Sequence, residues 1–279
     1  MSSKSLTNFD AITGELRLNY AALLLHIVQE LEQDRVEELR LYCTAAGLIS
    51  KEITGAVNII LELERIGKIS WKNLSFLKGS LSCVSRLDLV KTLLEFENKR
   101  DMILLMNLYA KKRNGLETKG RFSSSVESLS ECLVKVITME TTPGRFDLSD
   151  IRSSLESTEG IKRVLAEFDK EIEAELSHRW SKLTLLVIIA AEIIFEVLGN
   201  EEHRRKLDVM KLCFTAADEL CFRMKNLGSW ENFCSHVEER YNSVYHQLEP
   251  TESDACSLFV RTKIADVVQQ FKEMSFFRY

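Results

Sequence analysis

Cys234 and His236 are the one close cysteine–histidine pair in the sequence. A nucleophile needs its base within hydrogen-bond reach. Two residues apart on a helix, the side chains do not face each other, so this spacing argues against thiol catalysis. The 7 cysteines stand singly, with no Cys-x-x-Cys, and their number is odd. A zinc site or a disulfide framework would show tighter spacing. The reading that remains is reduced, buried thiols in a cytosolic protein. No Gly-x-Gly-x-x-Gly or other phosphate-cradling loop occurs. Carboxylates are abundant but fall on polar helix faces without a distinguishing setting. No enzyme, metal or cofactor is therefore expected. The spacing that does promise defined geometry is Arg86-x-Asp88. A guanidinium and a carboxylate can join through two parallel hydrogen bonds, which orient side chains more than they stabilise the fold.

The elements that must position these residues read as helices throughout. Only 2 prolines and 11 glycines punctuate 279 residues, so long stretches run uninterrupted. Tyr20–Leu31 is apolar on most faces and should be well buried. Asp34-x-x-Glu37 has capping-box-like spacing at the start of the next helix. Val36, Leu39, Tyr42 and Cys43 then repeat at helical steps, and Gly47 ends the run. A further helix is predicted over Thr54–Ile66, with Val57, Ile60, Leu61 and Glu64 on one face and Gly67 at its left-handed end. Ser70 can cap a helix carrying Leu74, Leu77 and Leu81. Ser85 can cap the one after it, with Asp88 at its third position. Five or six short helices in about 80 residues imply a small globule with short loops.

The order of three motifs in this region resembles a death effector domain. Glu64-Arg-x-Gly67 matches the end of that family's fourth helix. Asn73 followed by the leucine-rich helix of Leu74 and Leu77 comes next. Arg86-x-Asp88-Leu89 then matches the start of the sixth. AALLLHIVQEL is similar to the family's first helix and VEELRLYC to its second. The resemblance covers residues 16–98 and implies a six-helix death-fold bundle. It also implies that Arg86 and Asp88 join an acidic residue of the second helix in a surface triad. Arg35 stands at that acidic position, and the adjacent Asp34 is the candidate substitute. The residues alone leave a second reading open, in which Asp88 caps the helix begun at Ser85 and Arg86 is an ordinary exposed arginine. By the same resemblance, Leu41 and Tyr42 correspond to an apolar docking patch. One is expected in the core and the other outside, because neighbours on a helix diverge by about 100°. His26 on the first helix and Leu89 complete the expected protein-binding set.

Asp101–Lys112 reads as one more amphipathic helix. The polar stretch Arg113–Ser125 is the expected domain boundary, so residues 99–125 are read as a helical extension and linker. Residues 126–279 are read as a second helical domain, with helices near 127–139, 148–157, 160–178, 180–198, 203–227, 230–248 and 254–275. Leu183–Leu198 is the longest apolar run, interrupted by Thr184, Glu192 and Glu196. It is shorter than the roughly 20 residues that span a membrane and carries two acids. It is therefore predicted to be the buried central helix of the second domain.

Arg179-Trp180-Ser181-Lys182 before this run, and Gly228-Ser-Trp230-Glu-Asn-Phe233 after the following helix, are similar to the first and second homology regions of the B-cell lymphoma (Bcl-2) family of apoptosis regulators. That resemblance implies a groove for an amphipathic helix, with Trp180, Lys182, Gly228 and Trp230 as groove or core anchors. Lys182 stands where the family has arginine, which loses the bidentate fork.

The formal net charge of -5 argues against a nucleic-acid surface spread over the whole protein. The polar N-terminus has no signal-peptide core. Neither initiator-caspase protease motif nor membrane anchor is found, although initiator caspases carry death effector domains. The expectation is a cytoplasmic, non-enzymatic adaptor. Its partners would be death-effector-domain proteins, namely adaptors and initiator caspases, with self-association through the same module as a further expectation. The alternative is a groove-bearing regulator that binds amphipathic helical peptides.

Overall fold

Helix-favouring composition and sparse breakers produce only helices among the described residues. These are 4–113, 124–138, 151–175, 179–199, 201–202 and 207–245 of the computed structural model. The chain divides into two compact units, Ser3–Arg100 and Asp101–Tyr279.

The first unit contains α1 (Lys4–Glu30), α2 (Gln33–Ala45), α3 (Ala56–Arg65), α4 (Ser75–Cys83) and the first part of α5 (Leu87–Arg113). Between α2 and α3 the chain makes successive turns over residues 46–52 in place of a further helix. Three of these helices end in the same way. The amide two residues past the helix cap bonds back five residues, while a left-handed residue reverses the chain. Leu48 N bonds Cys43 O at 3.0 Å, Lys68 N bonds Leu63 O at 2.9 Å and Arg86 N bonds Leu81 O at 2.9 Å. The left-handed residues are Gly47, Gly67 and Ser85, with φ of 68°, 71° and 59°. Ser85 therefore ends α4 and does not cap α5. Asp34 sits in the first turn of α2 and forms no cap either; the N-cap is Glu32, without a side-chain bond. Before α4, Asn73 Oδ1 accepts from Ser75 N at 3.1 Å, a role expected of Ser70.

The core of the first unit gathers Ile27, Leu39, Cys43, Ile59, Leu63, Leu74, Leu77, Leu81 and Leu93, all fully buried. Burial of each such leucine or isoleucine is worth about 1.5–3 kcal/mol. In α3 the buried face is Ala56, Ile59, Ile60 and Leu63, so Val57 and Leu61 point to solvent. The helical period is as expected there, and the face is displaced by one residue.

Asp101–Arg113 continues α5 without a break and belongs to the second unit, where Met102–Ala110 are buried. The polar stretch after it lies mostly outside the described residues. The rest of the second unit is α6 (Ser124–Thr138), α7 (Arg152–Leu155), α8 (Thr158–Glu175), α9 (Arg179–Gly199), α10 (Val209–Leu227) and α11 (Trp230–Tyr245). The predicted helix at 254–275 also lies outside. α9 is central: it packs against α8, α10 and α11, and nearly every side chain from Ser181 to Val197 is buried. No helix among the described residues is long and apolar enough to cross a membrane.

An acid survives inside α9 because two α5 side chains meet it. Tyr109 donates its hydroxyl hydrogen to Glu192 Oε1, and Arg113 Nε lies 3.1 Å from the same oxygen. Burial, then the nearby carboxylate, raises the Tyr109 phenol well above its ordinary range. Arg113 also stands 5.2 Å from the centre of the Phe195 ring. A buried charge is tolerated only when paired and hydrogen-bonded in this way.

Candidate protein-docking site

The left-handed Ser85 delivers Arg86 to the start of α5, facing the end of α1. Arg86 Nε and Nη2 donate to Asp88 Oδ1 and Oδ2 at 2.9 and 2.7 Å. Its remaining Nη1 donates to the main-chain carbonyl of Glu30. That carbonyl is one of the acceptors a helix leaves without an internal partner, and a cation suits the negative end of α1. One guanidinium thus ties the C-terminus of α1 to the first turn of α5. The Arg86 hydrogen bonds hold the Asp88 carboxyl at about 2, well below the usual carboxylate range.

The acidic third member is absent from this arrangement. Asp34 is exposed and makes no ion pair with Arg86. Arg35 turns along its own helix and donates to Glu38 Oε1 and Oε2 at 2.9 and 2.7 Å. The third hydrogen-bond partner of Arg86 is the Glu30 main-chain carbonyl.

Around this corner the other candidates separate. Leu41 is 59% exposed and Tyr42 40%, so both are at the surface and neither is a core residue. The inward positions of α2 are Val36, Leu39 and Cys43. Tyr42 leans on Phe76, with ring centroids 6.1 Å apart. His26 is exposed on α1 next to Leu25, itself exposed. Leu89 is 2% exposed and packs in the core, so it supports the site and cannot touch a partner. The exposed apolar residue at this helix start is Leu87. Leu25 and Leu87 were not singled out by sequence, and Val57 and Leu61 were read only as part of the repeating face of their helix. For the last two a signal existed: Ala56, Ile59, Ile60 and Leu63 already make a complete inward face.

In the second unit, Trp180, Gly228 and Trp230 come together in one aromatic cluster. Trp180 lies 6.4 Å from Phe233 and stacks on His236 at 6.4 Å, and Trp230 lies 5.7 Å from Phe233. A Cβ on Gly228 would stand 3.2 Å from the Trp180 ring and 2.9 Å from Asn232 Oδ1, which explains the glycine. Asn232 Oδ1 caps α11 by accepting from Ser229 N at 3.1 Å. Lys182 is half-buried on α9. Beside α9, the space lined by α8, α9 and α10 side chains such as Val164, Leu165, Ile193 and Leu212 amounts to about 10 Å³, which is roughly one water.

Among the described residues no group of three histidine, cysteine, aspartate or glutamate side chains stands close enough to hold a metal ion. Burial pushes the thiol of Cys43 up to about 11 and that of Cys213 up to about 12, the reverse of an activated nucleophile.

Residues 20–99 match the family model of the death effector domain. No curated protein and no solved structure matches the chain.

Proposed function

We propose that this chain, in which residues 20–99 are a death effector domain, is a non-enzymatic cytoplasmic adaptor or regulator of apoptosis or related death-receptor or immune signalling. It acts by docking that domain on the death effector domains of adaptors or initiator caspases. The observation that carries this reading is the exposure of Leu41 and Tyr42 on α2, in the same small module as the Arg86 tie between α1 and α5. Exposed apolar side chains on a rigid frame lose little entropy on docking and supply the anchors on which binding energy concentrates. The fork at Arg86 contributes orientation more than energy.

A pull-down of the full chain with the death effector domains of an adaptor and of an initiator caspase tests the proposal. Wild-type protein is expected to bind. Leu41→Ala/Tyr42→Ala should weaken binding by roughly a hundredfold, from two anchors worth about 1–2 kcal/mol each. Arg86→Ala/Asp88→Ala should weaken it less. Failure of the wild type to bind either partner rejects the adaptor reading, while binding indifferent to both double variants rejects the face. The groove reading of the second unit gains no support from the described residues. On the Val164, Ile193 and Leu212 side of α9 the space is about 10 Å³, and Trp180 and Trp230 pack on Phe233.

A further inference from the structure

Tyr42 carries a hydroxyl at a place where packing alone would be served by phenylalanine. Its ring leans on Phe76, and 40% of the residue is exposed. Among the described residues no group bonds its hydroxyl. The other tyrosines whose side chains are described are enclosed. Tyr20 is 6% exposed, and Tyr109 is fully buried with its hydroxyl on Glu192. Within this group, Tyr42 therefore holds the one phenol that an enzyme in solution can reach.

A phosphate on that oxygen would meet no compensating charge. Tyr42 lies in the last turn of α2, where Ala46 N bonds its carbonyl at 3.0 Å. This is the negative end of the helix. Glu38, four residues earlier and so on the same side, is exposed. The arginines of α2 are engaged already: Arg35 pairs with Glu38 and Arg40 with Glu37, both at 2.7 Å. Lys78, the cation of the helix that carries Phe76, pairs with Glu97. A group of charge about −1.5 to −2 would thus stand beside a carboxylate and the end of a helix, against an aromatic ring, and each of these settings disfavours it.

We propose that Tyr42 is a phosphorylation site whose modification turns off docking through α2. A tyrosine kinase supplies the step, with a nucleoside triphosphate as donor. The Tyr42 oxygen attacks the γ-phosphorus and a new O–P bond forms. The bond from that phosphorus to the β,γ-bridging oxygen breaks, the nucleoside diphosphate leaves, and the hydroxyl proton passes to the kinase's base. The product loosens the last turn of α2, lifts the ring from Phe76 and puts a dianion beside Leu41. The effect on docking rests on the adaptor reading; the site and its effect on α2 do not.

Treatment of the full chain with a purified tyrosine kinase domain and Mg-ATP tests it. Mass spectrometry is expected to place phosphate on Tyr42. Binding to an adaptor's death effector domain should then fall by at least about tenfold, and phosphatase should restore it. Hydrogen exchange at the Ala46 and Leu48 amides, which close the end of α2, should speed by roughly tenfold as the turn loosens. In Tyr42→Phe, which has no acceptor oxygen, kinase treatment should leave that exchange as it was. Tyr42 left unmodified, exchange unchanged by its phosphate, or the same response in Tyr42→Phe overturns the site. A protein that binds the death effector domain equally in both states loses the switch and keeps the adaptor reading. A protein that binds it in neither state loses the adaptor reading and the switch with it.

Discussion

The two units of the chain treat polarity in opposite ways. Leu18, Leu25, Leu41, Tyr42, Val57, Leu61, Leu87 and Leu94 are exposed in the first unit; in the described part of the second, Phe222 is the one large exposed apolar residue. The second unit instead encloses Glu192 and Glu196 in its central helix, together with Asn107, Ser181 and Thr184. Single exposed apolar side chains are ordinary on a protein surface, so exposure alone assigns them no partner, and the docking role of Leu41 and Tyr42 is the part that is proposed. A buried acid on a helix that could otherwise slide along apolar neighbours gives that helix one preferred register. The first unit thus leaves large apolar side chains outside, and the described part of the second keeps polar ones inside.

The largest effect that would break this contrast lies at Glu192. Glu192→Ala leaves Arg113 buried beside Phe195 without its carboxylate, and chemical denaturation should show a loss of about 3–5 kcal/mol. Glu192→Leu combined with Arg113→Leu removes both charges and should recover most of that loss. If the single change costs no more than an exposed substitution, the pair does not hold the second unit together.

The next effect separates support from contact within the first unit. Leu89→Ala opens the core and should cost about 2–5 kcal/mol in the same measurement. Leu41→Ala should leave stability within about 0.5 kcal/mol of wild type. Equal destabilisation by the two changes would mean that Leu41 packs inward and is not a docking anchor.

The smallest effect concerns the fork. The Asp88 carboxyl is held at about 2 by its Arg86 hydrogen bonds, below the ordinary value of about 3.9. A lowered carboxylate stabilises the folded module above the ordinary range, and that contribution is lost as pH falls toward 2. Arg86→Ala should return the Asp88 carboxyl, followed by NMR titration, to the ordinary range. An unchanged midpoint would assign the shift to the helix terminus instead of the arginine.

Much of this was legible along the chain. Leu74, Leu77 and Leu81 fall at helical steps and all three are buried; Gly47 and Gly67 end helices in the left-handed conformation. The short, acid-bearing run from Leu183 proved to be the core of a buried helix. What escaped were phases and partners. Tyr42 was assigned to the helical repeat of α2, but it rests on Phe76 at the rim. Ser85 looked like a cap, because serine is a good one, and turned out to close the preceding helix. α5 was divided near Asp101, although nothing in the sequence there stops a helix, and it runs on to Arg113.

By itself, then, the sequence determined an all-helical chain, the death effector domain within it and the positions of most helix ends, because these follow from local spacing, turn residues and breakers. Only the tertiary structure decided which apolar residues are left outside, since exposure depends on what packs against each face. It alone placed the Glu30 carbonyl as the third partner of Arg86 and brought Tyr109 and Arg113 to Glu192. Those pairs lie 56, 83 and 79 residues apart in sequence. No periodicity reaches that far, and the geometry that joins them is a property of packed helices.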